Sequence, residues 1–139
     1  MTLRNVEFKA TEIGEQLVQL PLTNPRLYGL IAALGAYCQS RFKKKVIITS
    51  LYRKGDKGPH GEWRAVDLRA HHGYWTLAEL REIQEWLRLN FPRSDMVELE
   101  KAIPQWYGTV RIHGAGDHEH IHVCVERRDY LHRAMGMAT

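Results

Sequence analysis

Two stretches far apart in the chain alternate polar and apolar residues with the period of a β-strand: Arg64-Ala-Val-Asp-Leu-Arg69 and His120-Ile-His-Val-Cys-Val-Glu126. Successive side chains of a strand point to opposite faces, so each stretch defines two surfaces at once. In the first, Val66 and Leu68 share an apolar face, while Ala65, Asp67 and Arg69 share the other. In the second, Ile121, Val123 and Val125 take the apolar face, which leaves His120, His122 and Cys124 together opposite. A sheet containing both strands packs one face on helices and carries imidazoles and a carboxylate on the other.

The remaining segments supply the helices and further strands. Residues 10–20 have a short amphipathic character that Pro21 is expected to end. Asn24 and Pro25 read as an N-cap followed by proline at the first helical position. They open a long helix to Phe42, in which Leu27, Leu30, Ile31, Leu34, Tyr37 and Cys38 recur at helical spacing. Lys45 to Arg53 is rich in β-branched residues and predicts a buried strand, followed by a Gly- and Pro-rich loop from Gly55 to Gly61. Thr76 to Asn90 is the clearest amphipathic helix, with Thr76 and Glu79 as a capping box and Pro92 beyond its end. A loop from Pro104 to Gly108 precedes a strand from Thr109 to His113, and Gly114-Ala-Gly-Asp117 turns the chain into its last strand. Of the tryptophans, Trp63, Trp75 and Trp86 are expected in the core, and Trp106-Tyr107 either there or on a cleft wall. No repeat or linker interrupts the 139 residues. A single domain is expected, of α+β class, with a small, mainly antiparallel sheet and helices packed on one side.

Composition narrows the function classes. With 44% hydrophobic and 26% charged residues the chain resembles an ordinary globular protein. Its 20 Lys and Arg against 16 Asp and Glu give a net charge of +4, which favours a polyanionic surface such as cell wall or nucleic acid. Lys43-Lys44-Lys45 and Arg127-Arg128 are short clusters best read as solvated faces, and no basic run is interleaved with aromatics. A nucleic-acid partner is therefore not expected. There is no apolar run of membrane-spanning length, and Met1 to Lys9 lacks the apolar core of a signal peptide. Synthesis in the cytosol is expected, with a separate exit route if the protein acts outside. Cys38 and Cys124 are too few for a disulfide scaffold and read as reduced and packed. A monomer is the expected state.

The chemistry lies in His60-Gly-Glu-Trp-Arg-Ala-Val-Asp67 and Asp117-His-Glu-His-Ile-His122. Two imidazoles and a carboxylate form the mixed nitrogen and oxygen donor set that Zn²⁺ accepts. Three protein ligands leave a coordination position for water, as in a catalytic site. Cys124 is an alternative third ligand. The competing reading pairs Asp67 with Arg64 or Arg69 and leaves Glu119 as a solvated turn residue. Gly55, Gly58 and Gly61 would let a peptide backbone approach closely.

In these residues the chain resembles the family of zinc D-Ala-D-Ala carboxypeptidases, cytosolic D-alanyl-D-alanine dipeptidases and phage L-alanyl-D-glutamate endolysins, whose fold the amino-terminal domain of hedgehog proteins shares. The family pattern is Ser-x-His-x-x-Gly-x-Ala-x-Asp, followed by Glu-x-x-His or His-x-His. His60, Ala65 and Asp67 stand at matching positions, and Glu119-His-Ile-His122 satisfies both later forms. Gly58 replaces the serine and Trp63 the glycine, so a loop of different shape is expected between the first two ligands. The resemblance, from about Val46 to Val125, implies His60, Asp67 and His122 as zinc ligands. It implies Glu119 as general base, with Asp117 second in rank and His120 as a transition-state donor. Arg53, with Ser50 and Tyr52 in the same string, is implied in binding substrate carboxylate or the scissile carbonyl. The activity implied is hydrolysis of peptidoglycan stem peptides by a phage-type endolysin or a D,D- or L,D-carboxypeptidase. A cytosolic D-Ala-D-Ala dipeptidase and a catalytically silent, zinc-stabilised binding module are the alternatives.

Overall fold

The computed structural model describes residues 3–70, 73–92, 106–107, 110–113 and 119–126. The elements run β1 (Val6–Phe8), α1 (Thr11–Thr23), α2 (Pro25–Phe42), β2 (Val46–Ser50), a 3₁₀ turn (Pro59–Glu62), β3 (Ala65–Arg69), α3 (Leu77–Asn90), β4 (Trp106–Tyr107), β5 (Val110–His113) and β6 (His120–Cys124). The strands form one sheet in the order β1-β2-β3-β6-β5-β4. Among the described strands β1 and β2 pair in parallel, joined by the α1–α2 crossover, and the other pairings are antiparallel. The α+β class and the mainly antiparallel sheet follow the expectation from sequence.

Alternation sorts the two faces of the sheet. Val46, Ile48, Val66, Leu68, Ile121 and Val123 are buried in one cluster with Leu17 and Leu20 of α1, Leu30 and Leu34 of α2, and Ile83 and Leu87 of α3. The three described helices thus pack against the same apolar face. Gly35 lets α2 come close, because a Cβ there would sit 3.0 Å from Val6 Cγ2 and 3.2 Å from the Asn5 carbonyl. Trp75 is buried as expected. Trp86 is half-buried and stacks on Tyr37 at 4.8 Å.

The capping signals hold. Asn24 Oδ1 accepts the Leu27 amide at 3.1 Å at the start of α2. Thr76 and Glu79 form a reciprocal capping box before α3. Pro21 does not end α1, which continues to Thr23. A proline so near the C-terminus removes only one intrahelical donor, and the Asn24 amide still closes the last turn on the Leu20 carbonyl at 2.8 Å. Strand β1, outside the sequence expectation, is a three-residue edge strand with one buried residue. Trp106–Tyr107, expected within a loop, pairs with Val110–Arg111 as a short hairpin arm. The Gly114–Asp117 turn lies outside the described residues.

Thr76→Ala removes one half of the α3 capping box. It should cost about 1 kcal/mol, read as a lowered urea midpoint with an unchanged denaturant slope.

Candidate metal centre

The polar face of the sheet is built by the β3–β6 register. Asp67 pairs directly with His122, Arg69 with His120 and Ala65 with Cys124. Alternation then places Asp67 and His122 side by side on the face away from the helices. His60 reaches them from the 3₁₀ turn, which folds back over that face.

The three side chains meet at one carboxylate oxygen. His122 Nδ1 lies 2.9 Å and His60 Nε2 3.2 Å from Asp67 Oδ1. No two of the three donor atoms are more than 4.8 Å apart. A tetrahedral zinc with bonds of about 2.0–2.1 Å needs its ligand atoms about 3.3 Å apart, close to both measured separations. All three residues are buried, between 4% and 8% exposed. The site lies on the polar face of the sheet, as expected, and the loop that carries His60 covers it.

The tautomer of His60 is set by its other nitrogen. Nδ1 is 2.7 Å from the Leu51 carbonyl, which can only accept, so Nδ1 carries a proton. Nε2 is then the nitrogen turned toward Asp67. In the neutral ring it presents a lone pair to a carboxylate oxygen, an arrangement satisfied only by a cation. That cation is either a proton on the ring or a metal ion between the donors. A carbonyl partner on the far nitrogen is the usual way a metal-binding histidine is oriented.

The loop that carries His60 is tied down by amide side chains. Gln16 of α1, itself buried, accepts the Tyr52 amide at 3.0 Å and donates to the Tyr52 carbonyl at 3.2 Å. Asn24, besides capping α2, donates through Nδ2 to the Trp63 carbonyl at 3.0 Å. Tyr52 and Trp63 stack with ring centroids 4.4 Å apart. Trp63 has φ 58°, the left-handed conformation that glycine adopts most easily. Gly61 serves the chain's own turn, not a substrate: a Cβ there would lie 1.9 Å from the Asp56 carbonyl oxygen.

Asp67 pairs with neither Arg64 nor Arg69 but with Arg53, whose Nη2 donates to Oδ2 at 2.8 Å. Arg64 instead binds Glu62 and the Val125 carbonyl. Ser50 Oγ accepts from Arg53 Nε at 2.9 Å. His120 Nε2 lies 3.8 Å from Asp67 Oδ2. Burial alone would raise the Asp67 carboxyl pKa. Hydrogen bonds from His122 and then His60, with the charge on both rings, outweigh burial and hold it well below the usual carboxylate range.

The structure thus brings together His60, Asp67, His122, Arg53, Ser50 and His120. Tyr52 stands on the same loop, with its ring turned onto Trp63. Glu119 is half-buried immediately before β6. Asp117 lies outside the described residues. Cys124, buried on the same face, is not one of the three converging residues; its thiol lies near Arg64 Nη1 and the Val125 carbonyl. Gln16 and the Leu51 carbonyl were not legible as site residues, because neither a buried amide nor a main-chain acceptor carries a sequence motif. No protein-family model, curated protein or solved structure matches the chain.

The geometry predicts one divalent cation per chain. Titration calorimetry should show a 1:1 stoichiometry for wild type and none for His60→Ala or His122→Ala, with weakened binding for Asp67→Asn. Saturating metal should raise the melting temperature, with a stabilisation of about 2.7 kcal/mol at a hundredfold excess over Kd, reversed by a chelator. A depressed folded-state carboxyl contributes stability that is complete above its unfolded pKa of about 4 and is lost as pH falls through the folded value. Metal-free wild type should therefore lose stability on acidification below about pH 4. Asp67→Asn should lose less over the same interval, measured by urea unfolding at each pH.

Proposed function

We propose that this protein is a zinc metallopeptidase that hydrolyses peptide bonds in bacterial peptidoglycan stem peptides. The reading rests on one observation above all: His60, Asp67 and His122 converge on a common point from three separate segments. The order of these residues, with Ala65 between the first two and Glu119-His-Ile-His122 at the end, is what carries the resemblance to the peptidoglycan peptidases.

A zinc ion held by the triad would supply Lewis acidity and a bound water acidified to a pKa of about 7. Glu119 is the carboxylate assigned to take that water's proton and deliver it to the leaving amine. It stands three residues before His122, at the entry to the strand that carries the ligand. His120 is partly exposed on the ligand face and within 4 Å of Asp67. It is the described side chain best placed to donate to a developing oxyanion. The buried surroundings of the triad keep the local dielectric low, which strengthens each of these interactions. The mildly basic chain favours association with an anionic cell wall.

The decisive assay uses zinc-loaded protein on purified cell walls and, separately, on free D-Ala-D-Ala. Release of new amino groups from walls supports the proposal, and hydrolysis of the free dipeptide alone assigns the dipeptidase activity instead. Failure on both substrates rejects a peptidoglycan peptidase. Glu119→Ala should keep full zinc stoichiometry and lose about 10²- to 10⁴-fold in turnover; undiminished turnover would remove Glu119 from its role.

A further inference from the structure

We infer that Arg53 is a positioning residue for the metal centre: it holds the Asp67 carboxylate so that one oxygen only, Oδ1, faces the metal. This rests on the metal site proposed above and assigns Arg53 a role other than the substrate contact that the family resemblance implies.

The two oxygens of Asp67 have separate surroundings. Oδ1 faces His60 Nε2 at 3.2 Å and His122 Nδ1 at 2.9 Å, while Oδ2 receives the Arg53 Nη2 proton at 2.8 Å. A carboxylate on a short side chain rotates about its last torsion with little restraint, and left alone could present either oxygen or both. The charge-assisted bond from Arg53 selects one rotation.

Arg53 is itself held. Its Nε donates to Ser50 Oγ at 2.9 Å, and its Nη1 lies 3.7 Å from Asp56 Oδ2. Its backbone amide donates to the His60 carbonyl at 3.2 Å, which ties the main chain at Arg53 to that of the first histidine. Ser50 is also the residue opposite Asp67 in the β2–β3 ladder. The guanidinium is about half exposed, and each of its three nitrogens faces a partner within the loop or the site.

The sign of the effect separates this role from a purely electrostatic one. A guanidinium beside a metal ligand repels a divalent cation, so its removal tightens binding if charge is all that matters. If orientation of Asp67 matters more, removal weakens binding. Loss of an orienting partner of a metal ligand typically costs about tenfold to a hundredfold in metal affinity.

The test measures Zn²⁺ affinity by competition with a chromogenic chelator, and the visible spectrum of the Co²⁺-loaded protein. Arg53→Ala should lose about tenfold to a hundredfold in Zn²⁺ affinity and show an altered Co²⁺ band pattern, with affinity partly restored by millimolar guanidinium ion. Arg53→Lys, which keeps the charge but cannot span Ser50 and Asp67, should lose less. Ser50→Ala should lose least, in the same direction. Zn²⁺ affinity equal to or tighter than wild type in Arg53→Ala overturns the inference. Should that variant fail to fold, unchanged affinity in both Arg53→Lys and Ser50→Ala overturns it instead. A wild-type protein that takes up no Zn²⁺ brings down the metal centre itself, and Arg53's role with it.

Discussion

A carboxylate withdrawn from water organises this molecule. Asp67 is 4% exposed, and an ionised carboxylate so placed costs several kcal/mol unless neighbours compensate it (about several per ion in real proteins). The compensation comes from His60, His122 and Arg53, which belong to a 3₁₀ turn, the last described strand and the loop after β2. Arg53 and His60 lie seven residues apart in one loop, whereas His122 comes from a strand far along the chain. A single buried charge therefore ties together the sheet and the loop that covers it. The loop that covers the carboxylate is also the loop that supplies two of its three partners.

The helices take part through their polar edges as well as their apolar ones. Leu17 and Leu20 of α1 enter the core on one side of the sheet, while Gln16 reaches around to the main chain at Tyr52. Asn24 lies between α1 and α2 and uses both ends of its amide, one for the helix cap and one for Trp63. Core packing thus sets the position of the helices, and the helices set the loop. The loop in turn sets the Leu51 carbonyl and hence the tautomer of His60. The path from apolar burial to donor orientation passes through amides, whose hydrogen bonds are directional where dispersion contacts are not.

Much of this was legible in the chain. Period-two alternation at Arg64–Arg69 and at His120–Glu126 placed Asp67 and His122 on one face, and the observed register sets them opposite one another. The caps at Asn24 and Thr76 were readable because they depend on side chains within three residues of a helix start. Other features were not readable, each for a physical reason. Strand β1 is too short to show a period, and its place at the sheet edge depends on the crossover that follows. Helix α1 runs through Pro21 because tertiary burial of Leu20 outweighs a local breaker. The enclosure of the site comes from the 51–64 loop, whose shape depends on contacts with α1 and on the left-handed backbone at Trp63. Sequence adjacency points to Arg64 or Arg69 as the partner of Asp67. Arg53 won because strand pairing brings the end of β2 alongside Asp67, whereas Arg64 turns away to Glu62 and Val125.

The donor set bears on whether a metal here would be structural or reactive. Structural zinc is held by four protein ligands, and a site with three leaves one position to water or substrate. Cys124 is the described residue whose chemistry best suits a fourth ligand, on the same face and two positions beyond His122. Its register partner is Ala65, one row away from Asp67, and its thiol stands beside the Arg64 guanidinium. Cys124 is not among the residues whose donor atoms converge, and its thiol lies against Arg64 and the Val125 carbonyl instead. His120 is two positions before His122 on the same face, with Nε2 3.8 Å from Asp67 Oδ2, and it too stands outside the converging group. The register that sets His122 opposite Asp67 keeps its two same-face neighbours outside the converging group, and three protein donors would leave open a coordination position that a fourth would close.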